Sequence, residues 1–168
     1  ANGNVMAIYR RFLITDDDIM ISRVQSTRYD AARNTWGAPE LADQSLDEII
    51  MDCDFYDIAG FPNGNVLAVF ALEVQENEAD RHLYASQYVP GRGWGPAEQL
   101  DEERRGNAFS FEPRIKICND NKAILLFNRY DEDFDSHVAA KWFNVQSGWD
   151  ANTITLDHLP PEVKELTL

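Results

Sequence analysis

Three aspartates at alternate positions, Asp131, Asp133 and Asp135, have the spacing in this chain that is most suggestive of chemistry. A Ca²⁺ ion takes six to eight oxygen ligands, and carboxylates on every second residue of a loop can converge on one ion. The triplet lacks the glycine and the closing glutamate of an EF-hand loop, so the expected cofactor is a Ca²⁺ held by an irregular loop. The competing account is a solvated, charged hairpin, the usual state of an acidic run. Just before the triplet stand Arg129 and Tyr130, and Trp142 follows it. Aromatic faces stack on sugar rings, and a guanidinium donates to hydroxyls. Arg129, Tyr130 and Trp142 are therefore the expected ligand-binding residues.

Other chemistry has less support. His82, His137 and His158 share no metal-ligand spacing. Cys53 and Cys118 form no Cys-x-x-Cys pair. They are expected as two separate, buried, strand-borne thiols, or as one disulfide in an oxidising compartment. No nucleophile elbow, phosphate loop or dinucleotide fingerprint is present, and no catalytic residue is assigned.

The elements that must position these residues repeat along the chain. Asn2-Gly3-Asn4-Val5-Met6-Ala7-Ile8-Tyr9 returns as Asn63-Gly64-Asn65-Val66-Leu67-Ala68-Val69-Phe70, and in worn form as Asp120-Asn121-Lys122-Ala123-Ile124-Leu125-Leu126-Phe127. Trp36, Trp94 and Trp149 recur at a similar interval, close to sixty residues. Such a period is the mark of a propeller, solenoid or array. It divides the chain into repeats of approximately 1–43, 44–101 and 102–168.

Each repeat reads as several short strands. Pro113–Cys118 alternates as a half-buried strand should, and Ala123–Phe127 is a short apolar run suited to burial on both faces. Leu83–Tyr88, Ile21–Tyr29 and Val138–Phe143 match one another as third strands, and a fourth is expected to begin at each recurring Trp. Recurrence at one structural position points to packing for Trp36, Trp94 and Trp149. Trp142 replaces the tyrosine of the other repeats, Tyr29 or Tyr88. Helical signals are confined to Ser45–Met51 and Pro160–Leu166, a turn or two each. Asp52, Asp54 and Asp57 are expected to face solvent beside the strand of Cys53. The fold class is all-β, built from propeller blades of four antiparallel strands, with about three blades present.

Composition narrows the partners. The 168 residues are 44% hydrophobic and 11% aromatic, enough for a folded core. Fifteen Lys and Arg against 29 Asp and Glu leave a formal charge of −14, which disfavours nucleic acid and anionic membrane surfaces. No apolar run reaches the ~20 residues of a membrane span. The chain begins at Ala1 without an initiator Met, as a trimmed chain does.

The phrases Asn63–Phe70, Leu83–Tyr88 and Gly91–Leu100 resemble repeats of bacterial β-propeller proteins, in the style of sialidase-type Asp-box and lectin-like propellers. The Asp-box pattern is Ser-x-Asp-x-Gly-x-Thr-Trp. Gly91 and Trp94 keep two of its positions, as do Thr35 and Trp36, while the Ser and Asp positions are lost. The resemblance implies blade architecture and an extracellular or cell-surface setting. It does not carry over an enzyme: Phe111-Glu112-Pro113-Arg114-Ile115 is only superficially like the sialidase Phe-Arg-Ile-Pro phrase.

The expected function is a non-enzymatic binding or adhesion module with a glycan or protein ligand. The alternatives are a sialidase-like glycoside hydrolase, using arginines such as Arg23, Arg28 and Arg114 with Tyr9 or Tyr130, and a structural segment of a larger surface assembly. Ala1-Asn2 enters at the turn before a second strand, and Lys164–Leu168 is patterned as the first strand of a next blade. A propeller closes with 4–8 blades. The expected partner is therefore either the remainder of a longer propeller or a second copy, the homodimer completing a six-bladed ring.

Overall fold

The computed structural model describes residues 3–14, 20–44, 46, 50–74, 81–101, 109–130 and 135–157. These residues form strands and no helix. The first group is β1 (Val5–Ile14), β2 (Met20–Asp30), β3 (Thr35–Trp36) and β4 (Glu40–Leu41). The second is β5 (Ile50–Gly60), β6 (Val66–Val74), β7 (Arg81–Val89), β8 (Gly93–Trp94) and β9 (Glu98–Gln99). The third is β10 (Phe109–Asn119), β11 (Lys122–Tyr130), β12 (Ser136–Asn144), β13 (Gly148–Trp149) and β14 (Ile154–Thr155). Each group is one antiparallel sheet whose strands lie in chain order, and none of the three closes on itself.

The fourth position of each sheet is a broken strand. β3 and β4 both pair with β2, as β8 and β9 do with β7 and β13 and β14 with β12. The recurring Trp ends the first piece instead of beginning the strand. In the first two sheets a Gly and a Pro separate the pieces, Gly37-Ala38-Pro39 and Gly95-Pro96-Ala97, and proline cannot donate to the ladder. The break persists without that proline in the third sheet, between Trp149 and Ile154. Ile50 and Met51, at the end of the expected helical turn, belong to β5, and Pro160–Leu166 lies outside the described residues.

The sheets stack in sequence and share two cores. Val24, Ala42, Phe70, Leu72, Tyr88 and Trp94 fill the space between the first and second sheets. Leu67, Val69, Leu83, Leu125, Phe127 and Phe143 fill the space between the second and third. Because side chains alternate along a strand, β6 serves both cores at once. Ala68, Phe70 and Leu72 point toward the first sheet, and Leu67 and Val69 toward the third. This explains the unbroken apolar run. In β11 only one face is buried: Ala123, Leu125 and Phe127 pack on the second sheet, while Ile124 and Leu126 are half-buried.

The hairpin turns differ in build. Gly60 pairs with Val66 around a loop in which the Gly64 amide donates to the Phe61 carbonyl at 2.9 Å. Gly64 has φ +88°, and a Cβ there would lie 3.1 Å from Pro90 Cγ, so a side chain is disfavoured by both backbone and space. In the third sheet Asn119 pairs with Lys122, leaving a two-residue turn, Asp120 and Asn121. The worn copy of the motif is thus a shorter hairpin.

Candidate functional site

Three acidic side chains at the ends of the sheets recur in a way the sequence reading missed. Asp43 follows Leu41 by two residues, and Asp101 and Asp157 directly follow Leu100 and Leu156. Asp43 is fully buried and accepts from Arg23 Nε at 2.8 Å, Arg23 Nη2 at 3.0 Å and the Val24 amide at 2.9 Å. Asp101 accepts from the equivalent Leu83 amide at 3.1 Å, with His82 Nδ1 3.6 Å away. Asp157 lies 2.8 Å from His137 Nδ1. Each Asp ties the end of the broken fourth strand to the third strand. A shared Leu-then-Asp ending downstream of each Trp was the available signal.

Asp57 also acts structurally. It is partly buried, not solvent-facing, and accepts the Ile115 amide of β10 at 2.9 Å, a bond from the second sheet to the third. Cys53 is buried and Cys118 exposed, and both are free thiols. Cys118 therefore departs from the expectation of burial: it lies near the end of β10, beside the two-residue turn.

The expected ligand residues do not converge. Arg129 pairs with His137 and Trp142 with Ile124, five steps apart along the β11–β12 ladder, roughly 17 Å at ~3.3 Å per residue. By alternation Arg129 shares the face of Leu125 and Phe127, toward the second sheet, and Trp142 shares the opposite face. Tyr130 stacks on Phe111 with centroids 5.3 Å apart, and Phe111 meets Phe55 of the second sheet at 6.2 Å. Of the aspartate triplet, Asp135 is exposed, while Asp131 and Asp133 lie outside the described residues. Among the described residues no group of three or more His, Cys, Asp or Glu could hold a metal ion.

A cleft of about 950 Å³ lies instead at the turn ends of the first and second sheets. Its polar groups are Asn4, Arg28, Asn63, Asn65 and Tyr88, and its apolar wall includes Met6, Ile58, Phe61, Pro62 and Pro90. Local structure fixes these groups. Asn4 Oδ1 accepts the Ala31 amide at 3.0 Å, and Asn63 Oδ1 accepts the Asn65 amide at 2.9 Å. Arg28 Nη1 donates to Tyr88 Oη at 3.1 Å, with the guanidinium carbon 5.8 Å from the ring centroid. Among the described residues Arg28 is the one charged residue of the lining, which includes no carboxylate, histidine or cysteine. The cleft can donate hydrogen bonds and offer apolar surface. Two-carboxylate glycoside hydrolysis has no acid–base pair in that lining.

A smaller groove of about 340 Å³ lies between the second and third sheets, lined by Trp94, Glu98, Phe143 and Trp149 among others. Nearby, buried Lys141 donates to the Leu100 carbonyl at 2.9 Å. Desolvation against the groove raises the Glu98 carboxyl above its ordinary 4.5, and the Lys141 charge opposes the shift.

No family model matches this chain, and no curated protein matches it.

Proposed function

We propose that the chain is a non-enzymatic binding module whose three sheets are blades of a β-propeller. Its ligand is a glycan, taken in the cleft between the first two sheets. The carrying observation is the composition of that cleft: asparagine amides, one guanidinium and a tyrosine hydroxyl beside apolar wall. Sugars present hydroxyl rims and C–H faces, which such a lining complements. The lone Arg28 charge favours glycans bearing a carboxylate, because charge-assisted hydrogen bonds are the stronger ones. A propeller suits this work, since its rigid blades carry adaptable loops. The resemblance to lectin-like propellers accords with display outside the cytoplasm. Part of the same proposal is a Ca²⁺ on the third acidic hairpin at Asp131, Asp133 and Asp135, near Arg129 and Tyr130.

A glycan array probed with and without Ca²⁺ tests the reading. Saturable binding of acidic glycans is expected, weakened by roughly 10- to 100-fold in Arg28→Ala, the range for losing a hydrogen bond to a charged group. Ca²⁺ binding that disappears in Asp133→Asn assigns the ion to this hairpin, separately from the cleft. No binding in either condition removes the glycan reading.

A further inference from the structure

We propose that two copies of this chain associate head to tail, the third sheet of each packing on the first sheet of the other, to close one ring of six sheets. This rests on the blade reading and is independent of which ligand the cleft takes.

Each sheet presents two faces. The face toward the following sheet carries Val24 in the first sheet and Leu83 in the second, and both are fully buried there. The matching residue of the third sheet is Val138, which is 41% exposed. Beside it, Ile124 and Leu126 are only half-buried and Ile154 is 47% exposed. The corresponding Leu67 and Val69 of the second sheet are buried against the third.

The face toward the preceding sheet shows the complementary pattern. Trp94 of the second sheet is 5% exposed, and its Nε1 donates to Ser26 Oγ of the first sheet at 2.7 Å. Trp149 of the third sheet packs on Phe143 at 5.1 Å and joins the core shared with the second. Trp36 of the first sheet is 52% exposed and rests on Tyr29 at 5.4 Å.

Among the described residues the first and third sheets therefore leave exposed two faces that, by repeat position, are the halves of a joint already made twice within the chain. A second copy supplies both halves. At the first joint Arg28 reaches across to Tyr88, the tyrosine paired with Trp94. Trp142 stands at the Arg28 position of the third sheet, not at the tyrosine position expected from the sequence, which Phe143 holds, and Tyr29 and Trp36 of the second copy would stand opposite it. Tryptophan and tyrosine are the side chains enriched at protein interfaces. A head-to-tail contact closes when its rotation completes a circle, and six sheets fall within the 4–8 blades known to close.

The test is sedimentation equilibrium of the 168-residue chain from ~1 to ~100 µM. The expected result is a species with the mass of two chains. Trp36→Glu and Trp142→Glu, on opposite halves of the joint, should each weaken it at least tenfold while preserving the far-ultraviolet circular dichroism. A monomer at every concentration, the result if further sheets of a longer chain cover these faces, overturns the proposal. So does an open series of larger species, or a dimer that both variants leave intact. Glycan binding separates this from the ligand reading: Arg28→Ala should weaken binding by the same roughly 10- to 100-fold without changing mass, and Trp142→Glu should change mass while the cleft residues stay in place.

Discussion

At the residue scale, Glu98 illustrates how a groove built for packing imposes a pH dependence. Its carboxyl is raised above 4.5 chiefly by desolvation, with Lys141 pulling it down. A carboxyl raised in the fold binds its proton more tightly there than in the unfolded chain. Its contribution therefore favours folding at low pH and declines as pH rises from 4.5 through the raised value. Glu98→Gln should remove that component. The thermal midpoint of wild type relative to the Gln variant is expected to fall across this interval, and Lys141→Met should steepen the fall by removing the opposing charge. Midpoints measured by scanning fluorimetry from pH 4 to pH 7 decide it: a constant difference between wild type and Glu98→Gln would exclude the desolvation account. None of this was legible in the sequence. Glu98 and Lys141 lie in different repeats, and only sheet stacking brings them together.

At the scale of the elements, much was legible, because it depended on local periodicity. The alternation of Pro113–Cys118 and the apolar run Ala123–Phe127 predicted β10 and β11, although β11 is buried on one face and not on both, and the matched third strands appear as β2, β7 and β12. The misses arose where a side chain's role depends on a distant partner. Asp57 reads as a surface aspartate until the Ile115 amide of the next sheet is placed 2.9 Å away. Asp43 drew no expectation from the sequence, and it holds Arg23 and the Val24 amide. Replacing a fully buried carboxylate leaves both donors without their acceptor. Asp43→Ala should therefore cost roughly 3–5 kcal/mol, the range for breaking a buried charged pair. Urea denaturation measures this, and a cost under ~1 kcal/mol, typical of an exposed ion pair, would demote the clasp to surface decoration. The site was less legible than the strands. Arg129, Tyr130 and Trp142 are close in sequence, but the β11–β12 hairpin sends Arg129 and Trp142 to opposite faces. The cleft instead gathers strand-end and turn residues of the first two sheets, from Asn4 to Pro90, that lie far apart in sequence.

At the scale of the whole molecule, charge and apolar surface oppose each other, and salt separates them. Each chain carries a formal charge of −14, so two chains brought into one ring repel strongly at low ionic strength. The faces proposed to meet are apolar and aromatic at their centres: Val138, Ile154 and Trp142 on one side, Trp36 and Tyr29 on the other. Salt screens the repulsion, shortening the Debye length from ~10 Å at 0.1 M to ~3 Å at 1 M. It leaves burial of apolar surface in place. Association should therefore tighten as NaCl rises from ~0.05 to ~0.5 M, the opposite of a joint held by exposed ion pairs, and sedimentation at each salt concentration reads the change. Glycan binding at Arg28 should weaken over the same range, because a charge-assisted contact at a solvent-open cleft is screened. Opposite salt slopes for association and ligand binding would assign the two events to separate surfaces, one a packed joint and the other a charged recognition site. If both weaken with salt, the joint relies on charge pairing instead of the exposed faces of the first and third sheets.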